Sequence, residues 1–351
     1  MSCSQCRPSS SFSNEGNFHI RTDHPVLLQS LEQYFVTNRI EVTFRQEVLT
    51  ISFTSLSLLQ SICEDMSEKF NSSAKGSFYC AISEDSVENK PYLSWISFPH
   101  FLKRIQHEDL LEVIQHQLFT TYSQPIMNLR TNEIYGYEFL LRPIKNGPSF
   151  NPFELFQMAQ RSGLQALLDG KARIASIKSS ALAVPKGMKR FINFLPSSIY
   201  DPKHCLATTF KAAAEAGVDP EDLVFEVVET EEIADIDHLK SILTAYQEQG
   251  MKVALDDLGA GHSTLSVLRE LRPDYVKIDR KIISFCDENT AQQEMILQIV
   301  QTAKEIGSIV LAEGIERKEE AEFVFRCGVQ LAQGYYFGKP VPTENVILTA
   351  K

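Results

Sequence analysis

Met251-Lys252-Val253-Ala254-Leu255-Asp256-Asp257-Leu258-Gly259-Ala260-Gly261 is the stretch on which the reading of this chain turns. Its apolar run Val253-Ala254-Leu255 has the character of a short buried strand. That strand would deliver two adjacent carboxylates, Asp256 and Asp257, onto a turn made permissive by Gly259 and Gly261. Neighbouring acids repel each other, so at least one pKa should rise unless a cation compensates. Oxygen-only ligands suit a hard ion such as magnesium, manganese or calcium. A lone Asp-Asp pair is more often a solvated acidic turn, and the surrounding pattern has to decide between the two.

Outward from this stretch, the chain after Thr121 alternates apolar runs with amphipathic helical stretches, the mark of parallel α/β architecture. The predicted strands are 124–129, 134–141, 190–194, 223–228, 252–255, 275–278, 308–312 and 332–337. Helices are predicted over 166–183, 204–216, 236–249, 263–270, 294–306 and 318–327. Gly217, Gly250, Gly307 and Gly328 stand at helix ends, where a left-handed cap favours glycine. The first two strands are joined by Arg130-Thr131-Asn132-Glu133, too short for a crossover helix, so they should form a hairpin. The expectation is an α/β fold of TIM-like (β/α) barrel type with one antiparallel strand. An open doubly wound sheet is the alternative.

Each strand then presents a polar group. Glu138 interrupts Tyr137–Leu141, Asn193 follows Phe191-Ile192, and Glu226 follows Leu223-Val224-Phe225. Asp256 and Asp257 come next, then Lys277, Glu313 and Gln333. One such residue would be an ordinary solvent-facing strand end. Seven in succession predict convergence, because a (β/α) barrel gathers its strands' C-terminal ends at one face. Five crowded carboxylates are unstable unless protonated or bound to cations. Two divalent ions could hold the attacking and leaving oxygens of a phosphoryl centre. Lys277 would add a fixed positive charge there, and Arg142 is suited to bidentate phosphate binding. Residue chemistry therefore points to metal-assisted phosphodiester hydrolysis.

The remainder of the chain bounds this picture. Its 351 residues leave room for a barrel and an appendage. A formal charge of −11 argues against nucleic acid or an anionic membrane as the main partner. Seven scattered cysteines do not form a secreted disulfide framework. The lone Cys3-x-x-Cys6 has no second ligand pair nearby for zinc. No leader-like or membrane-spanning apolar run is visible, which predicts a cytoplasmic protein. Residues 1–17 are Ser-rich and polar and are expected to be disordered. Residues 18–118 read as a small α/β or α+β domain with regulatory or interaction roles. Helices are expected there over 26–35 and 56–70, strands over 40–53 and 77–82, and a connecting helix over 108–119. Trp95 and the other aromatics of this region are expected in its core.

Residues of about 121–342 closely resemble the EAL domain, the bacterial cyclic di-GMP-specific phosphodiesterase. Gly136-Tyr137-Glu138-Phe139-Leu140-Leu141-Arg142 matches the signature that names the family. Tyr122–Ile126, Ile192-Asn193-Phe194, Glu226-Val227-Val228-Glu229, Asp256–Gly261, Lys277-Ile278-Asp279, Ala312–Glu316 and Gln333-Gly334-Tyr335 follow in family order. The resemblance implies metal ligation by Glu138, Asn193, Glu226, Asp256 and Asp257, with Asp256 bridging two ions. It implies that Glu313 and Lys277 position or activate the hydrolytic water, with support from Gln333. It implies substrate contacts from Arg142, Leu141 and Asp279, and a loop-holding role for Glu229 and Glu316. The implied cofactors are two Mg2+ or Mn2+ ions, with Ca2+ as an inhibitor. The implied reaction opens cyclic di-GMP to linear pGpG, in a homodimer formed through the barrel. A signal or protein partner is expected at residues 18–118, and 119–351 would be the phosphodiesterase barrel.

The sequence also departs from the family pattern. Phe139 replaces the usual Ala, and strand alternation should turn it away from Glu138 towards the covering helices. Pro143 stands where an aromatic commonly follows the signature Arg. Leu258 replaces Phe and Val228 replaces Thr; Ala260 replaces Thr, and the lost hydroxyl removes one loop hydrogen bond, which should lower activity or weaken the loop's coupling to dimerisation. The matched metal and catalytic positions are all kept, which favours an active enzyme over a receptor that binds without hydrolysis.

Overall fold

Residues 12–45, 47–83, 94–227, 235–258 and 265–346 are those described by the structure, a computed structural model. They belong to two compact units, one of Met1–Leu118 with Pro143–Leu168 and one of Phe119–Arg142 with Asp169–Lys351.

In the first unit, Phe18 and Ile20 alternate with His19 along β1 (Gly16–Arg21), so that one face of the strand is apolar. Around it lie β2 (Thr43–Arg45), β3 (Val48–Phe53), β4 (Tyr79–Ser83) and β5 (Ile96–Ser97), in the order β2-β3-β1-β4-β5. The pairings of this sheet are antiparallel. Helix Pro25–Thr37 follows β1 and helix Leu56–Lys69 follows β3. This is the split β-α-β arrangement of ferredoxin-like folds. Ser55 starts the second helix by accepting a hydrogen bond from the Leu58 N–H at 3.2 Å. Its buried Leu59, Ile62, Cys63 and Met66 then follow helical spacing. Phe18 stacks on Phe101 at 4.9 Å between ring centroids, within a core that includes Leu31, Phe35, Ile51 and Phe98. Trp95, by contrast, is only half-buried and lies under the Arg21 guanidinium at 4.6 Å, outside that core.

Several expected boundaries move. Gly16 and Asn17 belong to β1, because pairing with Phe53 and Ser52 starts before the apolar residues do. The helix expected over 108–119 ends at His116, where Gln117 turns left-handed at φ 54°, and Phe119 already belongs to the next strand. Two helices of 9 and 10 residues, Phe98–Gln106 and Pro152–Arg161, begin at or next to proline and are too short to stand out by period alone. Arg104 Nε donates to the Ser162 carbonyl at 2.9 Å within the same unit.

His19, fully buried, contacts the Thr50 hydroxyl at 2.9 Å through Nδ1 and the Ser83 hydroxyl at 2.8 Å through Nε2. Burial pulls its pKa down from 6.5 to about 4. The neutral ring is the folded form, so the unfolded chain binds the extra proton between these values and stability falls as pH falls. Urea titrations should lose about 1.4 kcal/mol per pH unit from this group between pH 6.5 and 4. His19→Gln should remove that slope, and an unaltered slope would exclude His19 as its source.

The second unit is a closed barrel. Its strands are β6 (Phe119–Asn128), β7 (Glu133–Pro143), β8 (Lys189–Phe194), β9 (Leu223–Val227), β10 (Lys252–Leu258), β11 (Tyr275–Ile278), β12 (Ile309–Ala312) and β13 (Leu331–Gln333). They neighbour one another in chain order, and β13 pairs with β6 to close the ring. The recorded pairings from β7 to β13 are parallel, whereas β13 and β6 are antiparallel. The expected barrel with one reversed strand is therefore what forms. A short β14 (Val341–Pro342) adds to β6. The last barrel strand is shorter than expected, because Gly334 to Phe337 form a turn.

Alternation sorts the strand residues into two layers. Phe139, Ile192, Phe194, Phe225, Val253, Leu255, Val276 and Val310 face the helices in the larger core. Ile126, Phe191, Val224, Ala254, Tyr275, Leu311 and Leu331 form a separate inner cluster. Phe139 thus turns away from Glu138, as alternation requires. Gly217 and Gly307 close their helices at φ 66° and 82°, conformations in which a side chain would be strained.

Candidate active site

Five of the inner apolar residues stand two positions before a polar one on the same strand: Phe191 before Asn193, Val224 before Glu226, Ala254 before Asp256, Tyr275 before Lys277, and Leu331 before Gln333. A strand's period of two puts each pair on one face, so the apolar layer floors a polar layer at the strands' C-terminal ends. Leu311 likewise precedes Glu313, which lies one residue beyond β12.

Adjacent Asp256 and Asp257 should point oppositely, and a bulge prevents it. Leu255 pairs with Val276 and Leu258 with Ile278, so Asp256 and Asp257 together oppose Lys277 alone. Asp257 adopts φ 54° and its N–H donates to Asp256 Oδ1 at 2.8 Å. A left-handed non-glycine residue costs about 1–2 kcal/mol, and Asp is among the residues that tolerate it best.

Lys277 Nζ is the centre of the charge distribution. It lies 2.7 Å from Glu313, 2.9 Å from Glu226, 3.0 Å from Asp256 and 4.0 Å from Glu138. Burial alone would favour the neutral amine, but these carboxylates outweigh it and hold the ammonium well above its ordinary range. Glu226, fully buried, is pushed well above the carboxylate range by burial; Lys277 opposes the shift, and Glu138 and Asp256 add to it. Burial and then Asp256 do the same to Glu313. Glu138 goes the other way. Burial would raise it, but Lys277, hydrogen bonds from Asn193 and Gln333, and the charge of Arg142 bring it below its usual value. Asn193 Nδ2 donates to Glu138 Oε1 at 2.9 Å and Gln333 Nε2 to Oε2 at 2.7 Å.

Asp257 is raised to about 7 by burial, by Asp256 and by its hydrogen bond with Asp279. Asp279 also accepts from the Lys281 N–H at 2.7 Å, starting the short helix Arg280–Ile283. Asp256, Asp257 and Glu313 each bring a carboxylate oxygen within 4.8 Å of the others, the one metal-ligand grouping of this kind among the described residues.

The structure thus brings together Glu138, Asn193, Glu226, Asp256, Asp257, Lys277, Glu313 and Gln333. Leu141 and Arg142 follow Glu138 and are half-buried, with Arg142 Nη1 donating to the Leu141 carbonyl at 2.8 Å. Glu316 is turned to Arg280, its Oε1 2.8 Å from Nη2. Glu229, Val228 and the loop residues Gly259 to Ser263, Ala260 among them, lie outside the described residues.

Two contributors go unremarked in the sequence. Gln124 Oε1 accepts from Gln333 Nε2 at 3.1 Å, and its signal is its place within the matched stretch Tyr122–Ile126, on a strand lining the barrel. Glu320, 2% exposed, accepts from the N–H groups of Glu316, Arg317 and Phe285 at 2.9, 3.0 and 2.9 Å. Its signal is an acid in the first turn of helix Lys318–Arg326.

Comparison with known proteins adds independent findings. Residues 107–340 match the family model described as EAL domain. The probable cyclic di-GMP phosphodiesterase PdeG of Escherichia coli K12 is 30% identical over 258 residues, covering 71% of this chain and 50% of that protein. The chain therefore spans about half the length of that relative. A standalone EAL protein of Vibrio cholerae O395, solved with c-di-GMP bound, shares 34% identity over 63% of this chain and 92% of its own, with a TM-score of 0.58. BlrP1 of Klebsiella pneumoniae, solved with calcium and cyclic di-GMP, shares fold alone, at 21% identity and a TM-score of 0.60 over 94% of this chain and 96% of its own. A sequence match running from the helix before the barrel to beyond its last strand fixes the assignment: the chain belongs to the EAL domain family.

Proposed function

We propose that the barrel hydrolyses cyclic di-GMP to linear pGpG with the help of two divalent cations, magnesium or manganese. The observation that carries this reading is the convergence of four carboxylates on one buried ammonium, with Asp257 placed beside them by the bulge. The donor set fits hard cations: it is all oxygen, Asp256, Asp257 and Glu313 already lie within mutual reach, and Glu226 Oε2 is buried without a hydrogen-bond partner. Glu138, Asn193, Glu226 and Asp256 would hold one ion, and Asp256 with Asp257 the other. Such ions neutralise phosphate charge and make a water more acidic.

The chain's own groups supply the rest. Arg142 offers a guanidinium to a phosphate of the substrate, with Leu141 and Asp279 lining the approach. Lys277 places a fixed positive charge where negative charge develops. Glu313 accepts the proton of the attacking water, whose oxygen bonds to phosphorus as the ester bond to the 3′ oxygen breaks and that oxygen takes up a proton from solvent. Gln333 keeps Glu138 and the water aligned. Glu229 and Glu316 hold the loops. Residues 18–118 regulate the barrel, residues 119–351, which pairs with a second copy; calcium binds without supporting turnover.

Incubation with cyclic di-GMP and Mg2+ or Mn2+, followed by chromatography, should yield pGpG, and Glu138→Ala should yield none. Binding of cyclic di-GMP without pGpG from the native chain would replace this reading with that of a receptor. No helix among the described residues is long and apolar enough to cross a membrane.

A further inference from the structure

Behind the site, on the helix side of the barrel, lies a buried polar cluster that the proposed chemistry does not use. Asp169 and Arg173 stand one turn apart on helix Gln165–Ala183, 2% and 3% exposed, with Arg173 Nη2 3.1 Å from Asp169 Oδ2. Arg173 Nη1 donates to the Thr209 hydroxyl at 2.9 Å and to the Tyr246 hydroxyl at 3.1 Å, both from fully buried residues. Asp169 Oδ1 accepts from the Leu195 N–H at 3.0 Å. A buried ion pair is not an efficient stabiliser, because removing two charges from water offsets most of their attraction. Its placement suggests a different use.

Leu195 lies just beyond β8, two residues after Asn193. Tyr246 stacks on Phe225 at 4.1 Å and 14°, and its ring centroid is 5.3 Å from that of Phe194. Phe194 follows Asn193 and Phe225 precedes Glu226, and Asn193 and Glu226 are register partners across β8 and β9. The cluster therefore grips the outer faces of two strands at the level where their inner faces present Asn193 and Glu226.

We propose that Asp169, Arg173 and Tyr246 are positioning residues that brace β8 and β9 from outside and set the placement of Asn193 and Glu226 for metal binding. The helices supply one hydrogen bond to the backbone past β8 and one aromatic face to both strands, so neither strand end can shift alone. Losing a group that orients metal ligands typically costs about 10–100-fold in metal affinity. The inference rests on the metal-dependent reading of the barrel, and its test keeps the two separable.

Two double variants remove the ion pair and differ only at the backbone acceptor. Asp169→Asn with Arg173→Met keeps an oxygen for the Leu195 N–H; Asp169→Ala with Arg173→Met does not. Mn2+ affinity by calorimetry, thermal unfolding, and crystal structures of the metal-free proteins are the measurements. The Ala variant should unfold within a few degrees of the Asn variant yet bind Mn2+ at least tenfold more weakly, with the 2.9 Å Asn193–Glu138 hydrogen bond lost. The Asn variant keeps the Leu195 acceptor but loses the Arg173–Tyr246 link, so it should bind Mn2+ about threefold more weakly than the native chain. Equal Mn2+ affinity and an unchanged hydrogen bond in the Ala variant would overturn the proposal. So would failure of the Ala variant alone to fold, which would make the acceptor a structural need only. If neither folds, Tyr246→Phe decides: it should weaken Mn2+ binding about threefold, and native affinity would overturn the brace. If the native chain binds no Mn2+, the metal reading fails, while the Asn193–Glu138 geometry of the variants still decides the brace.

Discussion

Replacing Lys277 by methionine should destabilise the metal-free protein by about 3–5 kcal/mol, the usual cost of removing one partner from a buried charge cluster. The ammonium is 1% exposed and lies within 3.0 Å of Glu226, Asp256 and Glu313. Without it these carboxylates face one another in a site that water barely reaches. Urea unfolding at neutral pH in the presence of a chelator measures the loss, and a change below 1 kcal/mol would show the carboxylates to be adequately solvated.

The sign of the pH dependence follows from the shifts. Glu226 and Glu313 are held above the ordinary carboxylate range. Lys277 pulls both down, so its loss raises them further; the folded variant takes up protons at higher pH than the folded native protein, and acidification should narrow the gap between them. Mn2+ should narrow it too, because the folded variant's carboxylates, no longer facing an ammonium, bind a cation more tightly than the native ones. Turnover should fall about 10²–10³-fold, the usual effect of losing one preorganised charge at a developing oxyanion.

Gly334→Ala should lower turnover about 10²-fold, with a smaller change in substrate affinity. A Cβ at this position would overlap the Ile315 carbonyl oxygen and nitrogen, both backbone atoms. The Ile315 N–H donates to the Gln333 carbonyl at 3.0 Å, and the Tyr336 N–H to the Ile315 carbonyl at 3.0 Å. The added carbon would push apart the two segments that carry Gln333 and Glu313. Overpacking of this kind costs about 1–3 kcal/mol of stability, which thermal unfolding reads independently of the kinetics. Native turnover in a folded Gly334→Ala protein would mean that the segments move without consequence for Gln333 and Glu313.

Much of the barrel is legible without coordinates because both of its signals are local. Apolar runs between helical stretches give the strands, and a period of two predicts that Phe139 and Glu138 part company. The polar residues that follow or interrupt the apolar runs point to Asn193, Glu226, Asp256, Lys277 and Gln333. Boundaries are less legible where pairing rather than composition sets them. β1 begins at Gly16 because Phe53 lies opposite, and β13 stops at Gln333 because Gly334 must pass close to Ile315.

What the sequence determines by itself is which side chains each strand carries and on which face, since alternation is a property of a single extended chain. Only the tertiary structure decides how those faces meet. Two adjacent aspartates turn to the same side because the pairing of β10 with β11 slips by one residue and Asp257 goes left-handed. One ammonium meets four acids because strand closure, which joins residues far apart in the chain, fixes their distances. Asp169 and Arg173, a plain helical pair in the sequence, become a brace only when Leu195 and Tyr246 are packed against them. Such contacts depend on the relative placement of whole elements, which no local period encodes.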